Sequence, residues 1–474
     1  MILCAVVSVV ASLEIPLSLS YACLLVSFIL LCVTAGRNTQ IRVVTLTFVG
    51  VLFLFTVGNA INVFAWQLDA GLLSDKLPTL LSVTNMDQVL TVYRALTYCV
   101  SGVTMGLLIA PQHVQIQSSA DQTDSHSTMG MTRVPLVMYG ALIVSALCHI
   151  ARSWDIWRFV DQSGYVSYYV DYSTRLPTII VYLGNALDVI YFTVLAIVRR
   201  GRALVLPTIV YLGASAFTMM TGKRGQFMIP LLVVLVFFFH GAFARSGAAP
   251  LHLARRVIVI LLFVFVPLML LMQVLFTYRT GVSVGLGPGD FVVGQGGSIA
   301  TVGYVILLGS GLPDKPYAFG SILSQLRGYV CRGDICDPIP NAQTVERAMM
   351  TPQLGDTLTY AISPHAYLSG YGFGSSFVAE LLAEFGLSGV FLGSLFYGLL
   401  LVAVSRLLSS ESVISVVVAL LVAQRLFFSP RAGFSDFLLG ILSTQNLLWL
   451  SCVWLILHLA PRRKQISAEK SGSV

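Results

Sequence analysis

Apolar runs long enough to cross a membrane recur along the chain. They lie near 17–35, 43–65, 91–111, 132–152, 177–198, 203–220, 227–244, 256–277, 387–406, 412–428 and 438–459. A bilayer core takes about 20 apolar residues wound as a helix, because only a helix satisfies its own backbone polar groups in hydrocarbon. Eleven spans are therefore predicted. Residues 2–13 are too short to cross alone, so they form either a twelfth, tilted span or part of a first span broken near Pro16. No internal repeat or separate soluble domain stands out, and 112–131 reads as a flexible polar linker. One long polar stretch, Tyr278 to Ser376, separates the eighth run from the ninth. It begins TYRTG (Thr277–Gly281), carries CRGDIC (Cys331–Cys336) and leads into SPHAYLSGYGFGSSFVAELLAEFG (Ser363–Gly386). The pattern divides the chain into N-terminal spans (1–277, with short outer loops at 66–90, 153–176 and 221–226), a large loop (278–376), C-terminal spans (377–460) and a basic tail (461–474).

Composition agrees with an all-α, polytopic transmembrane protein. Hydrophobic residues make up 56% of the chain and charged residues 10%, with mean hydropathy +0.84. Soluble domains carry about 25% charge, so too little polar surface is left for a water-soluble chain of this length. The net charge of +7 is loop arginine, not a nucleic-acid-binding face, and its sidedness carries the information. The N-terminus, MILCAVVSVVASLEIPLSLS, has no basic n-region, so no cleaved signal peptide is expected. The tail PRRKQISAEK, the cluster Arg199–Arg202, the cluster Arg245–Arg256 and Gly36–Arg42 all fall on one side if the spans alternate, and the positive-inside rule makes that side the cytoplasm. The loop 278–376 and the turns TGKRGQ (Thr221–Gln226), SPRAGFSD (Ser429–Asp436) and 153–176 then face the periplasm. Six cysteines lie in apolar runs and read as small hydrophobes. Cys331 and Cys336 are close, polar-flanked and on the oxidising side. Without a nearby histidine pair they make a poor zinc site, so a local disulfide is favoured over free thiols.

This topology leaves Lys223, Arg224, Arg279, Arg327, Arg332, Arg347 and Arg431 on the side where the rule disfavours them. Pairing with Asp155, Asp161, Asp171, Asp334 and Asp337 or with headgroups accounts for part of this charge. An anionic substrate is the other reason, since a guanidinium fork matches phosphate. In TGKRGQ, Gly222 and Gly225 bracket Lys223 and Arg224 and allow the backbone to approach a ligand; the plain alternative is a pair of headgroup anchors. No P-loop spacing is present. Arg279 follows the run 256–277 directly. Arg425 and Arg431 lie in QRLFFSPRAGFSD, Arg425 at the end of a span, where an ionisable residue is a functional candidate. In SSFVAELLAEFG, Ser375 or Ser376 is a candidate N-cap, Gly386 a candidate stop, and Glu380 and Glu384 share one face of a short helix. Glu380 is either a general base or a partner that positions the helix, and His365 is a second candidate proton acceptor. Asp188, inside span 177–198 and near Asn185, suits either a transporter or a structural hydrogen-bond network.

TGKRG between two spans, a large outer loop, and then GFGSSFVAELLAEFGLSGVFLGSLFYGLL resembles the Wzy-type O-antigen or oligosaccharide repeat-unit polymerases. The resemblance covers the topology and about 45 residues of motif. It implies a GT-C-like membrane glycosyltransferase of the bacterial inner membrane, with its site facing the periplasm. Its donor and acceptor would be undecaprenyl-diphosphate-linked oligosaccharides, without metal or nucleotide cofactor, and a chain-length regulator is an expected partner. Arg224 and Glu380 fall in matching motifs, while Arg279, His365 and Arg431 match by location. The rival readings are an O-antigen ligase with the same donor, a flippase or other transporter, and a structural subunit of a membrane assembly.

Overall fold

The computed structural model describes residues 16–38, 41–61, 83–110, 133–199, 201–223, 225–246, 274, 295–331 and 339–459. All regular elements among them are helical. α1 (Leu17–Arg37) and α2 (Arg42–Leu52) are joined by a short turn, and α2 runs on through a π-wound segment, Phe53–Val57, to Ile61. α3 (Met86–Ile109) and α4 (Arg133–Ser163) follow. The next span is broken into α5 (Thr178–Asn185) and α6 (Leu187–Val198); then come α7 (Val205–Phe217) and α8 (Gly225–Ser246). The predicted polar stretch holds α9 (Ser298–Leu308), α10 (Gly320–Val330), α11 (Val345–Met350), α12 (Leu354–Ile362) and α13 (Pro364–Leu368). The chain closes with α14 (Phe377–Leu408), α15 (Val413–Phe428), α16 (Asp436–Leu442) and α17 (Thr444–Leu459). Eight helices among the described residues are long and apolar enough to cross a membrane, and the pair α16–α17, bent by 49°, makes a ninth. α8, with a shorter apolar length of Gly225–Gly241, corresponds to the seventh predicted run, so ten runs in all are matched by described helices. The run 256–277, residues 2–13 and the linker 112–131 lie outside the described residues.

One feature departs from the sequence reading. α9 is apolar, with Ile299, Thr301 and Val302 fully buried, and it packs against α3, α14 and the π-wound end of α2. Its 11 residues span only about 16 Å at 1.5 Å each, too short to cross. The stretch 278–376 therefore sends one short helix into the bundle. Gly386, the predicted stop, ends the helix begun at Phe377. It breaks α14 with φ 66° and ψ −161°, and the helix then resumes. A Cβ at Gly393 would lie 2.5 Å from Leu381 Cδ1. Twelve residues of straight helix would hold those positions about 18 Å apart. The segment before Gly386 is thus folded back over the span that follows, and a glycine is needed because the break demands positive φ.

The tightest contact in the bundle is α3 against α14. A Cβ at Gly106 would meet Leu395 O at 2.2 Å, and one at Gly398 would meet Val103 O at 2.4 Å. Gly102 and Gly106 form one small-xxx-small pair, and Ser394 and Gly398 the other. In lipid, where apolar faces gain nothing by leaving water, such spacing lets backbones approach and gather dispersion contacts. Gly398→Val is expected to force the helices apart and lower the melting temperature of detergent-purified protein, at a cost of about 1–3 kcal/mol or more for overpacking. Gly213→Ala, with nothing within 4 Å of the added Cβ, should leave it unchanged.

The break between α5 and α6 is satisfied from α4. Ser145 Oγ donates to Leu183 O at 2.7 Å, His149 Nδ1 lies 3.1 Å from Gly184 O, and Arg152 donates to Asn185 Oδ1. Just beyond the break, Asp188 accepts from Tyr211 Oη and from Gln424 Nε2, each at 2.8 Å. Both of its oxygens are occupied by fixed side chains from α7 and α15, which gives it the structural role of a buried polar network.

At one end of the bundle, Arg199 donates to Ser410 O at 2.9 Å and to Glu411 O, and His240 Nε2 meets Ser409 Oγ at 3.0 Å. This is the end that carries the predicted cytoplasmic clusters. The candidate residues gather at the other end.

Candidate functional site

The turn after α15 is held from below by one carboxylate. Phe434 N donates to Glu380 Oε2 and Ser375 Oγ to Glu380 Oε1, each at 2.8 Å, and Tyr397 Oη donates to Phe434 O at 2.6 Å. Glu380 is 3% exposed. Ser376 occupies the N-cap position of α14, but its hydroxyl makes no cap bond, and Ser375 turns to the carboxylate instead. A Cβ at Gly433 would lie 3.0 Å from each Glu380 oxygen and 2.9 Å from Asp436 Oδ1. Two carboxylates therefore flank the bare face of Gly433. Asp436 Oδ1 is buried and has no hydrogen-bond partner among the described residues. On the upper side of the turn, Arg431 is exposed, with its guanidinium carbon 5.7 Å from the Phe55 ring centroid. Phe55 belongs to the π-wound segment of α2 and packs edge-on against Phe428 at 6.3 Å. A Cβ at Gly225 would touch Phe428 at 3.2 Å. The TGKRG and SPRAG turns thus share the Phe428 ring.

Lys223 points into a tyrosine wall. Its Nζ lies 3.8 Å from the Tyr168 ring centroid and 5.9 Å from that of Tyr169. Tyr168 stacks on Tyr172 at 4.9 Å, and the Tyr165 and Tyr169 hydroxyls bond at 2.8 Å. The loop that carries these rings is clamped by the far polar stretch. Gln343 N donates to Tyr169 O at 3.1 Å, and Gly370, at φ 92°, leaves no room for a side chain because its Cβ would meet Val166 O at 2.3 Å. His365 is exposed on α13, five residues before that contact. Burial pushes the Lys223 ammonium down to about 8; Arg152 pushes the same way and Tyr165 opposes. A lysine lowered on folding binds fewer protons than in the unfolded chain between about 8 and 10.5, so its charge opposes folding below 8 and that cost fades as pH rises through this window. The stability gap between Lys223→Met and wild type, read from thermal unfolding, is expected to favour the variant at pH 7, to narrow as pH rises above about 8 and to close only above 10.5.

The predicted residues sort clearly. Lys223, Arg431, Glu380 and the segment bearing His365 are brought to the same end of the bundle. Arg425 is exposed on α15 below Arg431; it approaches Gly440, where an added Cβ would meet its Cγ at 3.2 Å, and it attracts Asp436. Glu384 is drawn elsewhere, accepting from Ala318 N at 2.8 Å. Arg347, one of the outer cations, pairs with Asp356 at 2.9 Å and donates to Pro340 O and Asn341 O, which folds the outer segment on itself. Cys331 is disulfide-bonded; Cys336, its predicted partner, lies outside the described residues, as do Arg224 and Arg279. Sequence reasoning missed Gly433 and Asp436, read Ser375 as a candidate N-cap, and gave the aromatic residues of 153–176 as sugar-stacking candidates or an interfacial belt without placing Lys223 among them. The Tyr-rich run YVSYYVDY was a visible signal, but an interfacial aromatic belt gives the same pattern.

The chain is therefore a polytopic all-α membrane protein with a cationic, tyrosine-walled face at one end and two buried carboxylates beneath it. The family model described as O-antigen polysaccharide polymerase Wzy matches residues 1–464, and the chain belongs to that family. No curated protein and no solved structure matches it. Membership makes it a polysaccharide polymerase of a multi-pass membrane type.

Proposed function

We propose that the protein polymerises undecaprenyl-diphosphate-linked oligosaccharide repeat units at the periplasmic face of the inner membrane. The observation that carries this reading is the gathering of the TGKRG turn, the SPRAG turn, the tyrosine loop and the His365 segment at the end opposite Arg199. A glycosyl diphosphate brings its own leaving group. The acceptor hydroxyl loses its proton to a base, its oxygen bonds to the anomeric carbon, and the carbon–oxygen bond to the diphosphate breaks with the electron pair leaving on phosphate. Fixed cations stabilise that developing charge; Lys223, Arg224, Arg279 and Arg431 take this role, and Arg425 steadies Asp436. The proton goes to a carboxylate or an imidazole, and we assign that role to Glu380, which has Asp436 beside it, or to His365. No metal or nucleotide enters the scheme. Asp188, with both oxygens bonded to interior side chains, suits packing better than transport.

The test is the purified protein supplied with lipid-diphosphate oligosaccharide alone. A ladder of carrier-linked products is expected. Product only when a lipid A-core acceptor is added would make the protein a ligase, and no product under either condition would overturn the reading.

A further inference from the structure

α10 carries two faces. Gln325 and Tyr329, four residues apart, face the break between α16 and α17. Gln325 Nε2 and Tyr329 Oη donate to Leu442 O at 3.2 Å, and Thr444 N donates to Tyr329 Oη at 3.0 Å. The tyrosine thereby satisfies backbone groups that the bend leaves open. A neighbouring stripe, Leu323, Leu326 and Val330 at i, i+3 and i+7, is 39%, 48% and 59% exposed. With Pro316, Met350 and Pro352 it lines a groove of about 440 Å³ whose remaining walls are Lys315 and Arg327. An apolar helix stripe left open on an extramembrane segment marks a binding or membrane surface.

We propose that this groove seats the first isoprene units of the polyprenyl carrier, below its diphosphate. The proposal rests on the lipid-linked substrate put forward above and gives that substrate's tail a place in the fold. Two observations select this occupant. First, the groove lies on a helix fastened to a membrane-span break: α10 is bonded to Leu442 and Thr444, and the next turn of that span exposes Leu447 and Leu448, 42% and 62%. Second, the charge is complementary. Lys315 Nζ is fixed by Ala348 O at 3.0 Å, Thr351 O at 2.9 Å and Thr357 Oγ1 at 3.3 Å. It therefore contributes a positive field at a set position rather than a mobile hydrogen bond, and Arg327 adds a second cation. An amphiphile with an anionic head and a branched hydrocarbon tail matches this combination; a sugar or a free phosphate would leave the apolar stripe uncovered.

Two measurements test the groove. In the first, wild-type protein in detergent is irradiated with a diazirine-bearing polyprenyl monophosphate, and the labelled peptides are mapped. Label within 316–330 or 350–352, displaced by undecaprenyl phosphate and not by phosphatidylglycerol, is expected. Label elsewhere only, or equal displacement by phosphatidylglycerol, overturns the proposal and leaves the groove to ordinary bilayer lipid. This arm needs no turnover, so it stands whatever the ladder assay returns. In the second, KM is compared for repeat units on 15-carbon and 5-carbon carriers, which differ in the isoprene units just beyond the first. Wild type is expected to favour the long carrier by about tenfold, the effect of two buried methylenes. In Leu326→Asp, and in the milder Val330→Ser, the two KM values should converge. A variant that lowers kcat equally on both carriers, or one that keeps the full long-carrier preference, counts against the groove.

Discussion

Glu380→Gln is expected to lose about 10²–10⁴ in polymerisation rate, the contribution typical of a general base, while reaching the membrane at normal levels. Glutamine is nearly isosteric but offers one acceptor oxygen where glutamate offers two. Both oxygens are in use, one by Phe434 N and one by Ser375 Oγ. An amide turns an NH₂ toward one of those donors and leaves it unpaired, at about 1–3 kcal/mol. The turn carrying Arg431 loosens, but the fold, held by α3 against α14, persists. Ser375→Ala separates the two roles of the carboxylate. It removes one hydrogen bond, worth about 1 kcal/mol, and leaves the charge in place, so a loss under about tenfold is expected. A ladder assay on purified variants reads both. If Glu380→Gln polymerises near the wild-type rate, the proton goes elsewhere, with His365 the remaining candidate, and Glu380 serves only as the brace of its turn.

Arg224→Ala should cost about 10²–10³ in rate, the loss typical of removing one placed charge-stabilising donor. Arg224→Lys keeps the charge but not the planar fork that grips two phosphate oxygens, so it should remain badly impaired. Arg224 stands between Lys223, which is held by Tyr168, and Gly225, which abuts Phe428. Both flanking residues have packing contacts of their own, and the variant is expected to reach the membrane at normal levels. Wild-type turnover by Arg224→Ala would remove the phosphate role from the TGKRG turn. A raised KM with unchanged kcat would move that role from transition-state stabilisation to substrate binding.

The sequence alone determined the class of the protein and most of its spans. Each membrane helix must satisfy its own backbone and face lipid, so a run of about 20 apolar residues is a local signal that needs no partner. Ten of the eleven predicted runs correspond to described helices, and the eleventh lies outside the described residues. The TGKRG, SPRAG and Ser363–Gly386 segments were also legible as candidates, because charge and glycine at the edge of apolar runs are locally unusual. What the tertiary structure decided is every relation between distant residues. α9 is too short to register as a span and is recognised only by its burial. Gly386 reads as a stop by composition and is one, but only the contact of Leu381 with Gly393 shows that the helix before it folds back over the span that follows. The partners of the candidate residues were decided by contact as well. Glu380 is engaged by Phe434, 54 residues away, and Lys223 by Tyr168, while Arg347 is taken up by Asp356. Hydrophobicity is a property of each residue, but whether an acid or a cation is buried, partnered or exposed depends on which elements pack around it.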